Sequence, residues 1–84
     1  MTDSGAPRVT LIGKPECHLC VVARGIVAEV CADLGVGWTE VSILDHPELG
    51  TRYAEMIPVT LVDGRQHDYW RVDPVRLREA LTTT

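Results

Sequence analysis

Apolar positions change their period along the chain, and each change marks an element. Residues 9–12 form a short apolar run with β-branched side chains, closed by Gly13-Lys14-Pro15-Glu16, which predicts a buried strand leading into a loop. Over residues 18–34 the apolar positions Leu19, Val22, Ala23, Ile26, Val27, Val30, Cys31 and Leu34 recur at steps of three and four, the stripe of an amphipathic helix, and Gly35 supplies its stop. Residues 38–44 alternate through Val41 and Ile43, which predicts a second strand, and the helical crossover before it makes it parallel to the first. Asp45, Pro47 and Glu48 read as a helix start, with Leu49 and Tyr53 on one face of a short helix or turn over residues 45–54. Two further strands, residues 59–62 and 66–72, flank Asp63-Gly64, a strong hairpin signal. Asp73-Pro74 then reads as an N-cap and first-turn proline ahead of a closing helix with Val75, Leu77, Ala80 and Leu81 on its apolar face. The predicted order is βαβ(α)ββα, an α/β class.

At 84 residues the chain holds one domain, predicted over residues 8–81 with tails at 1–7 and 82–84. Hydrophobic residues at 45% and charged residues at 24% are ordinary for a globular domain. A net charge of −4, with the basic residues scattered, argues against nucleic acid, which needs clustered cations. No apolar run has the length of a secretory signal core or of a membrane span, so the expected protein is a cytoplasmic monomer away from membranes. Three cysteines is an odd number, a poor fit to a secreted disulfide framework and a better one to reactive or buried thiols in a reducing compartment.

Two of those cysteines carry the chemistry. Cys17-His18-Leu19-Cys20 falls where the first strand gives way to the long helix, so the Cys17 sulfur meets unpaired backbone N–H groups and the positive end of the helix dipole. Such settings lower a thiol pKa from about 8.5 into the range of roughly 3.5 to 7.5, which makes Cys17 the expected attacking sulfur. Cys20 lies one helical turn on, within reach of a bond, and a more buried, higher-pKa Cys20 would resolve a mixed disulfide. Taken alone, the motif also fits half of a metal site, which needs about four ligands. Cys31 cannot supply one: at 1.5 Å rise per residue it stands about 16 Å beyond Cys20 on the same helix. Its place on the apolar stripe predicts a buried thiol. His18, between the cysteines, either tunes them or is solvated, while His46 and His67 read as surface residues.

The strand, the Cys-X-X-Cys motif at a helix start, the Met56-Ile57-Pro58-Val59 step into a hairpin and the final helix resemble the thioredoxin superfamily and, in their brevity, the glutaredoxins. The resemblance covers residues 8–81. It implies a thioredoxin-like fold, with a mixed four-stranded sheet flanked by helices, and a thiol–disulfide oxidoreductase with electron-transport chemistry at a Cys17, Cys20 redox-active centre. It implies a cis peptide at Pro58, facing the cysteines, and an Ile57 backbone that pairs with a bound peptide or thiol tripeptide. Lys14, the only lysine, matches the lysine beside the thiolate and the glutathione carboxylate, and Asp73 matches the aspartate that holds the glutathione amine. With His18 these are the expected substrate-binding residues. No tightly bound cofactor is implied; the expected partners are a disulfide-containing protein or small-thiol substrate, and glutathione, another low-molecular-weight thiol or a reductase as electron donor. The chain departs from the family pattern at His18-Leu19, where glutaredoxins commonly carry Pro-Tyr. It departs again at Trp70-Arg71-Val72, which replaces a Gly-Gly pair and puts side chains in the path of a glutathione backbone. Tyr69 and Trp70 are expected to pack on the core rather than line a substrate groove. The alternative is a non-enzymatic module of the same fold, holding an iron–sulfur cluster or metal through Cys17 and Cys20 or acting as an adaptor.

Overall fold

The computed structural model describes residues 7–82. Its elements run β1 (Val9–Gly13), α1 (His18–Leu34), β2 (Trp38–Ser42), α2 (Pro47–Tyr53), β3 (Val59–Val62), β4 (Arg65–Tyr69) and α3 (Pro74–Thr82). The sheet order is β2-β1-β3-β4, with β1 parallel to β2 and antiparallel to β3, and β4 closing a hairpin on β3. This is the thioredoxin-like fold, a mixed four-stranded sheet with three helices.

Period-two alternation along β1 divides the core. Val9 and Leu11 face α1 and α3, where they pack with Val27, Val30, Cys31 and Leu77, while Ile12 faces the other way with Val59 and Tyr53 of α2. Gly13 therefore returns to the α1 face. Helix α1 occupies the span its hydrophobic stripe predicts and stops at Gly35, whose φ of 68° is left-handed, with Val36 N–H donating to the Cys31 carbonyl at 2.9 Å. At the hairpin, Asp63 and Gly64 both take positive φ, 53° and 84°, as a two-residue turn matched to strand twist requires. Asp73 caps α3 through its carboxylate, which accepts from Val75 N–H at 2.9 Å. The Arg8 guanidinium ties the far end of β1 to both neighbours: it donates to the Asp63 carboxylate at 3.0 and 2.9 Å and to the Leu81 carbonyl at 3.1 Å.

Several boundaries differ from expectation. Gly13 continues β1, paired with Ser42, rather than opening the loop. Strand β2 ends at Ser42, not at 44, because Asp45 and His46 N–H groups donate back to the Ser42 and Ile43 carbonyls in a turn. Helix α2 starts at Pro47 after His46, so Asp45 lies outside it. Thr82 belongs to α3, its hydroxyl donating to the Arg78 carbonyl at 2.8 Å, and not to a tail. Of the tails predicted at 1–7 and 82–84, residues 1–6 and 83–84 lie outside the described residues. Strand β4 ends at Tyr69 because Trp70 turns to φ 64°. His67 is half-buried rather than on the surface: a register shift opposite Thr60 and Leu61 leaves it as the extra residue between Gln66 and Asp68.

Candidate functional site

The end of β1 and the start of α1 build the site. Cys17 is the N-cap of α1, with extended φ, ψ of −103° and 110°, and its Sγ accepts a hydrogen bond from Cys20 N–H at 3.2 Å. A sulfur in that role satisfies one of the orphan donors of the first turn, an arrangement that favours negative charge on Sγ once the thiol is free. Cys17 and Cys20 are joined in a disulfide, with Cα atoms 5.2 Å apart. The two sulfurs are unequal in access: Cys17 is half-buried, and Cys20 is 1% exposed.

Cys20 is buried against backbone. A Cβ built on Gly13 would lie 3.0 Å from Cys20 Sγ, closer than side-chain packing ordinarily allows, so the glycine makes room for the sulfur. The same point lies 3.9 Å from Glu40 Oε2, and that carboxylate is gripped in bidentate fashion by Arg24 of α1 at 2.8 Å per contact. The Arg24 pKa is raised by this hydrogen bond and the Glu40 charge.

On the accessible side, Lys14, Cys17 and His18 line one groove of about 330 Å³ together with Val21 and Arg24. Lys14 and His18 are both exposed. The Ile57–Pro58 peptide is cis, both residues are buried, and they immediately precede β3. The pairing of Ile12 with Val59 brings Pro58 to the end of the sheet where β1 finishes in Gly13. Asp73 stands apart from Lys14, at the start of α3, with its carboxylate engaged by the helix N–H groups of Val75 and Arg76. The third cysteine, Cys31, is free and buried in the α1–α3 core, where desolvation raises its pKa.

Tyr69 and Trp70 do not pack on the core as expected; they are 44% and 53% exposed, in edge-to-face contact with ring centroids 5.1 Å apart. The left-handed backbone at Trp70 turns its indole outward from the end of an edge strand. Trp70 N–H donates to the Pro58 carbonyl at 2.7 Å and to Met56 at 3.2 Å, and its indole N–H to the Glu55 carbonyl at 2.9 Å. Sequence reasoning also missed Gly13, Arg24 and Glu40. A glycine closing a strand just ahead of two cysteines was the available signal for the first; an ion pair between a helix and a strand edge has none.

The chain matches the model of the glutaredoxin-like domain family (DUF836) over residues 8–82. An uncharacterized protein of Mycobacterium tuberculosis is 34% identical over 77 residues, covering 86% of this chain and 79% of its own. An X-ray structure of a protein from X. campestris superposes with a TM-score of 0.73 at 31% identity, covering 90% of this chain and 97% of that one. The X-ray structure of Fasciola hepatica thioredoxin, at 22% identity and a TM-score of 0.61 over 88% of this chain and 76% of its own, shares the fold. A Cys-X-X-Cys pair at the head of α1, on this fold and with these relatives, makes the chain a member of the glutaredoxin-like domain family.

Proposed function

We propose that the protein is a thiol–disulfide oxidoreductase that reduces protein or low-molecular-weight disulfides. The observation that carries this reading is the inequality of the pair: Cys17 caps the helix and is open to a groove, while Cys20 is bonded to it from a buried position. In the reduced protein the Cys17 thiolate attacks one sulfur of a substrate disulfide, and the other substrate sulfur leaves and takes up a proton. Cys20 then loses its proton and attacks Cys17 Sγ, which expels the second substrate thiol and forms the Cys17–Cys20 disulfide. Two electrons and two protons from a small thiol, glutathione among them, or from a reductase restore the dithiol. Lys14 and His18, beside Cys17 in the groove, meet the anionic or polar part of the substrate. The cis Ile57–Pro58 peptide, at the same end of the sheet, meets the backbone of the substrate, and the Asp73 carboxylate, at the start of α3, meets its amine while serving its own helix. The expected setting is a reducing, cytoplasmic one, with the protein working as a monomer; among the described residues no helix is long and apolar enough to cross a membrane.

The test is turnover with 2-hydroxyethyl disulfide, using dithiothreitol as donor, together with the pH dependence of Cys17 alkylation. Cys17→Ser is expected to abolish turnover, and Cys20→Ser to accumulate a mixed disulfide at Cys17 visible by mass spectrometry. A Cys17 that titrates near the free-thiol value of about 8.5, with no turnover, would overturn the reading, as would purified protein that holds iron through both cysteines.

A further inference from the structure

A second groove, of about 270 Å³, runs beside the redox motif on the side away from Lys14 and His18. Leu19, Val22 and Ile26 of α1 form one wall, and Trp70, Arg71 and Val72 the other. Leu19 and Val22 are 44% and 52% exposed, so an apolar strip lies open to solvent within the turn that carries the cysteines. Leu19 belongs at once to the Cys-X-X-Cys motif and to this groove. Cys17 itself opens to the other groove, so Leu19 is the residue through which this strip adjoins the redox pair.

The opposite wall is held in place at a cost. Trp70 sits at φ 64°, a region glycine adopts freely and a bulky side chain rarely does. Three hydrogen bonds, to the carbonyls of Glu55, Met56 and Pro58, fix it there. The fold thus spends backbone strain to stand a half-exposed indole beside the cis proline, and the indole meets no core.

We propose that Trp70 is a specificity-determining residue, which with Leu19 and Val22 selects protein disulfides whose cysteine is flanked by an apolar side chain. The inference rests on the oxidoreductase reading and names its substrate class. An apolar flanking side chain is desolvated between the indole and α1, whereas a flanking serine gains nothing there.

Single-turnover oxidation of the pre-reduced protein tests this without a donor: the two thiols lose two electrons and two protons to the substrate, which leaves as two thiols. The probes are the disulfide dimers of two blocked tetrapeptides of equal charge, one with leucine on both sides of its cysteine and one with serine. Oxidation by the leucine peptide is expected to be about tenfold faster. Trp70→Gly, which suits the positive φ, is expected to bring that ratio close to one. Val22→Ser, a change at an exposed helix position that does not disturb the Trp70 turn, is expected to lower it as well. Equal rates for the two peptides in the wild-type protein, while 2-hydroxyethyl disulfide still oxidises the dithiol, would overturn the inference and leave the function standing. Failure of every disulfide, 2-hydroxyethyl disulfide included, would overturn the function itself.

Discussion

Gly13 shows how closely the site depends on single atoms. At Gly13 the missing methyl group is what admits the Cys20 sulfur, so Gly13→Ala is expected to destabilise the oxidised protein by about 1–3 kcal/mol in urea unfolding. If the clash is with the sulfur, the penalty shrinks in a Cys20→Ala background, which a double-mutant cycle reads directly. Cys31, by contrast, is a packing residue whose thiol pKa burial pushes above the ordinary free-thiol value. The unfolded thiol ionises first as pH rises, so the unfolded state holds fewer protons and stability falls above that ordinary value. Urea midpoints between neutral pH and pH 10 are expected to decline more steeply for the wild-type protein than for Cys31→Ala. The same thiol is expected to resist alkylation in the native protein while reduced Cys17 reacts.

Among the elements, those with their own stop signals were the most legible. The bounds of α1 were readable because a 3.6-residue stripe runs into a glycine able to take a left-handed φ, and those of β3 because Asp63-Gly64 permits a tight turn. Strand β4 was less legible: Trp70 and Val72 continue an alternating pattern through the point where the backbone turns, and a bulge at His67 shifts the side-chain phase. Local pattern carries no trace of the carbonyls of Glu55, Met56 and Pro58 that hold Trp70 outward, since these come from the loop before β3. For the site, the cysteines and Pro58 were visible as motif residues, whereas Arg24 with Glu40, and Trp70 with the loop before β3, act through contacts between elements distant in sequence. Helix α1 also carries a residue that is not optimal for it. Gly25 is exposed in mid-helix, and a Cβ there would meet nothing within 4 Å. Gly25→Ala is expected to raise stability by about 0.5–1 kcal/mol in urea unfolding, without changing the rate at which the dithiol is oxidised.

Across the whole molecule, α3 holds the sheet to α1, and Leu77 is its fully buried anchor. Leu77→Ala is expected to cost about 2–5 kcal/mol, a large share of the 5–15 kcal/mol typical of a domain, and to lower the thermal midpoint of the whole protein rather than melt one helix. The contacts of Arg8 have a different use. By drawing the start of β1, the β3–β4 turn and the last turn of α3 together, they gather both ends of the folded region at the pole opposite the cysteines, the length of β1 away. A linker fused at either end would therefore leave the thiols unobstructed. Anchored that way to a gold electrode or a chromatography bead, every molecule would present Cys17 outward, giving an oriented layer for voltammetry or for trapping substrates on Cys20→Ser protein.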